Sequence, residues 1–190
     1  MKDEIRSWLL RSIDVKVKTV DACTDSAARA AEMLIECLKG GHKVLLCGNG
    51  GSAADSQHVA CELVGRFQVD RKALAAIALT TDTSVLTAVA NDYDYEQIFM
   101  RQVQALGSSG DCLVALSTSG NTVNVLKAAD AARSQGMKVI ALTGETGGQL
   151  KNMCDCLIAV PSTVTAHVQE AHITVLHVIC ELVEKALVQR

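Results

Sequence analysis

The sequence predicts an α/β domain: a five-stranded parallel sheet with helices on both faces. Three observations carry this expectation. Short, continuous apolar runs recur along the chain with helical stretches between them, and strands buried on both faces read as unbroken apolar runs rather than as alternation. The runs Val44–Cys47 and Cys112–Leu116 pass at once into loops of Gly, Asn, Ser and Thr that open a helix, the strand–loop–helix unit of a parallel sheet. The length of 190 residues, 49% of them apolar, fits one domain with a sizeable core and leaves little room for a second.

The elements follow in order. Ile5, Leu9, Ile13 and Val17 lie at helical spacing with Arg6, Arg11 and Asp14 between them, so residues 3–20 read as a first helix. A break is expected near Cys23–Asp25, then a second helix over Ala27–Leu38, stopped by Gly40-Gly41. Val44–Cys47 is the first strand, followed by Gly48-Asn49-Gly50-Gly51-Ser52 and a helical run to about Val64. Ala76–Leu79 is the second, leading into helical stretches at Thr83–Ala90 and Tyr95–Leu106. Cys112–Leu116 is the third, ending in Ser117-Thr118-Ser119-Gly120-Asn121-Thr122 and a helix to about Gln135. Lys138–Leu142 is the fourth, with Gly147-Gly148 behind it, and Cys156–Val160 the fifth, closed by Pro161.

A long helix from about Thr165 to Leu187 ends the chain, with Val168, Ile173, Val175, Leu176, Val178 and Ile179 spread around it and hardly a charge before Glu181. The N-terminal and C-terminal helices are apolar around much of their circumference, so each is expected to be buried on more than one side. In so short a chain the expected cover is another copy of itself. Residues 1–190 are therefore read as a single domain, with 1–40 as N-terminal helices used in oligomerisation and 41–190 as the α/β core and C-terminal helix.

Composition excludes several classes. A formal charge of −3 leaves no basic stripe for nucleic acid. No apolar run approaches the roughly 18 residues that span a bilayer, and Met1-Lys2-Asp3-Glu4 is too acidic for a signal peptide. The eight cysteines sit in strand-like and helical runs with no C-x-x-C pair, which reads as small buried thiols in a reducing compartment. A soluble cytoplasmic protein is the expectation.

The chemistry-bearing residues gather at two strand ends. Open α/β sheets bind ligands at the carboxyl ends of their strands, where the next helix offers free N–H groups and the positive end of its dipole. Ser52, Ser117, Ser119 and Thr122 add hydroxyl donors at that edge, and such a site suits a phosphate monoester without any lysine. Neither loop is a Walker A motif, since no G-K-[ST] follows, and neither is G-x-G-x-x-G, so nucleotide binding is disfavoured. Ordinary tight turns are the plain alternative.

His58 and Glu62 form an i,i+4 pair on the helix after the first loop, and the last helix carries Gln169, His172 and His177. One imidazole and one carboxylate so spaced can hold a divalent metal with further ligands from elsewhere. Gln169 and His177 lie about 12 Å apart along an ideal helix and about 80° around it, so their side chains can just meet at one ion. Ligands drawn from two subunits are the other possibility.

Taken together, Cys47-Gly-Asn-Gly-Gly-Ser52, His58-x-x-x-Glu62, Asn91-Asp92, Ser117-Thr-Ser-Gly-Asn121 and Gln169-Glu-x-His172-x-x-x-x-His177 resemble the sugar isomerase (SIS) domain family over essentially the whole chain, and within it the phosphoheptose isomerase branch. The resemblance implies a flavodoxin-like domain, a homotetramer with active sites at subunit interfaces, and one Zn2+ per subunit. It also implies conversion of sedoheptulose 7-phosphate to glycero-manno-heptose 7-phosphate through an enediol, the first step toward the heptose of lipopolysaccharide.

Carried over position by position, His58, Glu62, Gln169 and His177 would bind the metal. Asn49, Gly50, Gly51, Ser52, Glu62, Asn91, Asp92, Ser117, Thr118, Ser119, Thr122 and Gln169 would contact substrate. Glu62 would be the base and His177 the acid or proton shuttle. The chain departs from the family at His167, where many members have arginine, and at Ala166, where some have aspartate. His167 is read either as a surface substitution or as a change at the substrate-facing edge. A related non-catalytic branch binds the replication initiator and lacks the second histidine of the last helix. That branch is the alternative reading.

Overall fold

The computed structural model describes residues 1–188. Strands Val44–Cys47 (β1), Ala76–Ala78 (β2), Cys112–Leu116 (β3), Lys138–Gly144 (β4) and Cys156–Val160 (β5) form one parallel sheet in the order β2-β1-β3-β4-β5. Val44 stands opposite Ala76 on one side and Cys112 on the other. This is the flavodoxin-like order. The direction of winding reverses between β1 and β3, so the connections leaving these two strands part and leave a crevice at their carboxyl ends.

Alternate residues of each strand feed two cores, which is why the runs are apolar throughout. Leu46, Val114, Leu116, Ile140, Leu142 and Ile158 face one side. There they meet Lys2–Lys39 (α1), Gly51–Val64 (α2) and Thr165–Leu187 (α6) through Leu34, Val59, Leu63, Leu176 and Ile179. Leu45, Cys47, Leu113, Ala115, Val139 and Ala141 face the other side. They pack on Thr83–Asp92 (α3), Ile98–Leu106 (α4) and Val123–Ser134 (α5) through Leu86, Phe99, Val103 and Val125. Among the described residues no helix is long and apolar enough to cross a membrane. All eight cysteines are free thiols; six are buried, Cys154 is half-buried and Cys61 exposed.

The structure corrects the reading of the N-terminus: one helix of 38 residues stands where a break was expected. Cys23-Thr24-Asp25-Ser26 are poor helix formers, costing a few tenths of a kcal/mol each, but none is Gly or Pro. Tertiary bonds offset that cost: Cys23 Sγ donates to Ala159 O of β5 at 3.3 Å, and Cys156 Sγ donates back to Ser26 O at 3.2 Å. Within the single chain the stripe read from the spacing does not face the core. Ser12, Val15 and Thr19 are buried, whereas Ile5, Leu9, Ile13 and Val17 are 55–59% exposed. The apolar stripe thus lies on the outside of the single chain.

Smaller differences have local causes. The second strand is a three-residue edge strand with Ile77 exposed. The stretch expected as one helix from Tyr95 opens with a 3-10 turn at Tyr95–Gln97. β4 runs on to Gly144 because β5 pairs with it to the end, Gly144 opposite Val160.

Candidate active site

The crevice between β1 and β3 is lined by the two predicted loops, and side chains bridge it. Asn49 and Asn124 pair amide to amide: Asn49 Nδ2 donates to Asn124 Oδ1 at 2.8 Å, and Asn124 Nδ2 to Asn49 Oδ1 at 3.1 Å. Tyr95 OH donates to the same Asn49 oxygen at 2.9 Å. Gly50 turns the chain into α2 at φ 57, a conformation that a side chain would resist. Ser52 is buried in the first turn.

In the second loop the hydroxyls are gathered. Ser117 Oγ lies 2.8 Å from Thr122 Oγ1 and 3.5 Å from Ser119 Oγ, and takes the N–H of Gly120 at 3.1 Å. Ser119 Oγ takes the N–H of Asn121 at 3.1 Å. Gly120, at φ 66, is overlain by Gly147-Gly148: a Cβ there would fall 2.2 Å from Gly147 O. The half-buried Thr118 accepts the Gly144 N–H through its carbonyl at 2.9 Å. Neither α2 nor α5 has a side-chain N-cap, so both helices present their N-terminal dipole to this edge.

The second centre lies further along α2, where it crosses α6. His58 Nε2 is 3.2 Å from Glu62 Oε1 and 3.1 Å from His177 Nε2. All three ligating atoms fall within 4.8 Å of one another. The tilted rings of His58 and His177 are 4.9 Å apart, and Phe67 covers His177 at 5.7 Å. This donor set fits zinc: with Zn–N of 2.0–2.1 Å, the edge of a tetrahedral site is about 3.3 Å, close to both separations.

Gln169 is placed elsewhere. A Cβ on Gly51 would meet its carboxamide oxygen at 2.6 Å, so the amide lies over the first residue of α2, about 10 Å along that helix from His58. The structure therefore brings together three of the four expected metal ligands and puts the fourth at the N-terminal end of α2. Asn91 and Asp92 are exposed at the end of α3, with Asn91 Nδ2 donating to Asp92 Oδ1 at 2.8 Å.

The other histidines of α6 take different roles. His172 is fully buried, its Nε2 3.0 Å from Thr143 O, and burial pushes its pKa down to about 4 against the opposing effect of that bond. It is a neutral core group. His167 is not a surface residue as one reading allowed: it is 2% exposed, packed on Trp8 at 4.6 Å and 3.5 Å from Glu170 Oε2. It faces α1, because the long N-terminal helix lies across the start of α6.

Sequence reasoning passed over Asn124 and Tyr95, which reach Asn49 from 75 and 46 positions away and lie outside every local motif. It also passed over Arg71 and Glu184, a buried charged pair with Nε 3.2 Å from Oε1. An acidic residue on the apolar α6 was the one available signal.

Known proteins are similar to this chain over most of its length. The SIS domain family matches residues 9–144. A phosphoheptose isomerase from Shewanella sp. (strain ANA-3) is 48% identical over 98% of this chain and 96% of its own length. The structure of a phosphoheptose isomerase from Neisseria gonorrhoeae is similar with a TM-score of 0.93 and 44% identity, covering 97% of this chain and 98% of that one. One from Francisella tularensis also has a TM-score of 0.93, with 42% identity over 96% and 97% of the two chains. The chain belongs to the SIS domain family and, within it, to the sugar-phosphate isomerases of the phosphoheptose isomerase group.

Proposed function

We infer that the chain converts D-sedoheptulose 7-phosphate to D-glycero-D-manno-heptose 7-phosphate in the cytoplasm, supplying heptose for lipopolysaccharide. One observation carries this reading: a carboxylate and two imidazoles converge within 4.8 Å where α2 meets α6, and α2 opens at the Gly48–Ser52 loop, which Asn49 and Asn124 bridge to the hydroxyl-rich loop of α5. The relatives' name, phosphoheptose isomerase, supports the substrate class.

Moving a carbonyl between C1 and C2 requires taking a proton from the carbon beside it and returning one to the neighbouring carbon through a cis-enediol. Glu62 takes the carbon-bound proton, and His177 moves the proton between the two oxygens. Ser52, Ser117, Ser119, Thr122 and the helix N–H groups hold the phosphate. Asn49, Gly50, Gly51, Asn91, Asp92, Thr118 and Gln169 contact the sugar. His58, Glu62 and His177 would hold one zinc ion per subunit, and Gln169, which lies over Gly51 in this structure, would join them as fourth donor once its side chain turns toward them. When bound, the ion supplies Lewis-acid polarisation of the carbonyl and offsets the charge of the enediolate. The protein works as a homotetramer, its subunits covering the apolar faces of α1 and α6.

The test is proton NMR of sedoheptulose 7-phosphate in deuterated water with metal-loaded protein. Deuterium should arrive on the carbon beside the carbonyl as aldose appears. Glu62→Gln should slow this by about 10²–10⁴-fold while substrate still binds. No exchange with the wild-type protein overturns the reading and favours the initiator-binding alternative.

A further inference from the structure

Arg71 and Glu184 touch neither loop, yet they connect to both members of the proposed acid–base pair. Glu184 is 3% exposed. Its carboxylate accepts three successive backbone N–H groups, from Phe67 at 2.9 Å, Gln68 at 2.8 Å and Val69 at 3.1 Å. Arg71 Nε sits 3.2 Å from Glu184 Oε1 without an aligned hydrogen bond, so this contact is an ion pair.

The rest of the Arg71 guanidinium is spent on the C-terminal end of α2, apart from one bond of Nη1 to Lys72 O at 3.1 Å. Nη2 donates to Glu62 O at 2.8 Å, and Nη1 to Leu63 O at 2.8 Å and Gly65 O at 3.3 Å. These are the carbonyls that a helix end leaves without intrahelical partners. On α6, Glu184 is seven residues beyond His177, about two turns along the same stripe. The chain that Glu184 grips carries Phe67, whose ring covers His177. Burial disfavours the Glu184 charge, but the three amide donors and Arg71 outweigh it and hold the carboxyl below its usual range.

We propose that Arg71 and Glu184 form a positioning clamp that sets the gap between Glu62 and His177: Arg71 fixes the backbone of residue 62 on α2, and Glu184 ties that end to α6 and seats Phe67 on His177. The proposal rests on the isomerase reading for its kinetic consequence alone. Glu62 and His177 lie on different helices, and their separation is a property of the α2–α6 contact. A buried charge pair tied to the backbone of both elements holds such a contact in one geometry, and removing one partner leaves the other charge orphaned. The phosphate loop lies at the opposite end of α2 and keeps its own bonds.

The experiment uses the full-length metal-loaded protein and the variants Glu184→Gln, Arg71→Lys and Phe67→Leu, with the exposed Lys185→Ala as control. Arg71→Lys keeps the charge and loses the fork, so it answers the question if Glu184→Gln fails to fold. In folded clamp variants kcat should fall by about 10²-fold, the cost of a displacement of about 1 Å, with KM within about threefold. In protein labelled with 15N at histidine, the imidazole resonances of His58 and His177 should move while that of His172 stays. Unchanged kcat, or a raised KM at constant kcat, overturns the clamp. If the wild type itself does not turn over, the histidine spectrum decides. Shifted His58 and His177 signals then support the clamp while the isomerase reading falls, and unmoved signals overturn the clamp.

Discussion

At the scale of single residues, spacing exposed the chemistry on α2. His58 and Glu62 were legible as an i,i+4 pair, and their atoms do meet. On α6 spacing was ambiguous, because His172 and His177 both fit a helix in an apolar stretch. Five positions rotate them by about 140°, which sends one into the core and the other to the α2 contact. Their environments, not their sequence, assign the roles. That difference has a consequence in acid. His172 has its pKa lowered from an ordinary value near 6.5 to about 4. The unfolded chain therefore takes up a proton at this site before the folded one does. The contribution of His172 to stability is complete above about pH 6.5 and is lost as pH falls to about 4, a drop of about 3 kcal/mol at most. Urea unfolding from pH 7 to 4.5 should show a steeper loss for the wild type than for His172→Gln. Parallel curves would mean that the ring is solvated in the folded protein.

At the scale of elements, the strands were legible because each is buried on both faces, and the loops because glycine and hydroxyl residues concentrate there. The continuity of α1 was not, since it depends on sulfur–carbonyl bonds to β5 that no local propensity reports. The Gly147-Gly148 pair was visible behind the fourth strand, but its purpose is long-range: it lets one loop lie directly on another. Gly120 is where that contact is tightest. Leu150 N donates to Gly120 O at 3.0 Å, and Gln149 N to Asn121 Oδ1 at 2.9 Å, so the upper loop braces the hydroxyl loop from behind. A methyl group on Gly120 meets backbone on that side and also sits at positive φ. Gly120→Ala should therefore destabilise the fold by about 1–3 kcal/mol and raise KM for the sugar phosphate more than it lowers kcat. Denaturant midpoints and steady-state kinetics check both. An alanine variant with wild-type stability and KM would show that the two loops separate freely.

At the scale of the whole molecule, the sheet order places both hydroxyl- and glycine-bearing loops at one switch point, and α2 runs from that point to α6. The remaining surface is less self-sufficient. Along α1, Ile5, Leu9, Ile13, Val17 and Val20 are 55–63% exposed. Between α1 and α6 runs an apolar groove of about 280 Å³ lined by Val20, Cys23, Ala27, Val175, Val178 and Leu182. Monomeric proteins rarely leave so long an apolar strip in water. The helical period was legible, but which side of it faced the core was not, because a helix with apolar residues all round fits either inside or between subunits. If the strip is covered by other copies, charge placed on it must break the assembly without touching the sheet. Ile13→Glu combined with Val17→Glu inserts two carboxylates that a closed interface cannot solvate, at a cost of several kcal/mol. Sedimentation at micromolar concentration should give a tetramer for the wild type and smaller species for the double variant, with unchanged far-ultraviolet circular dichroism. A wild-type chain that sediments as a monomer would place α1 in water and remove the reason for its apolar face.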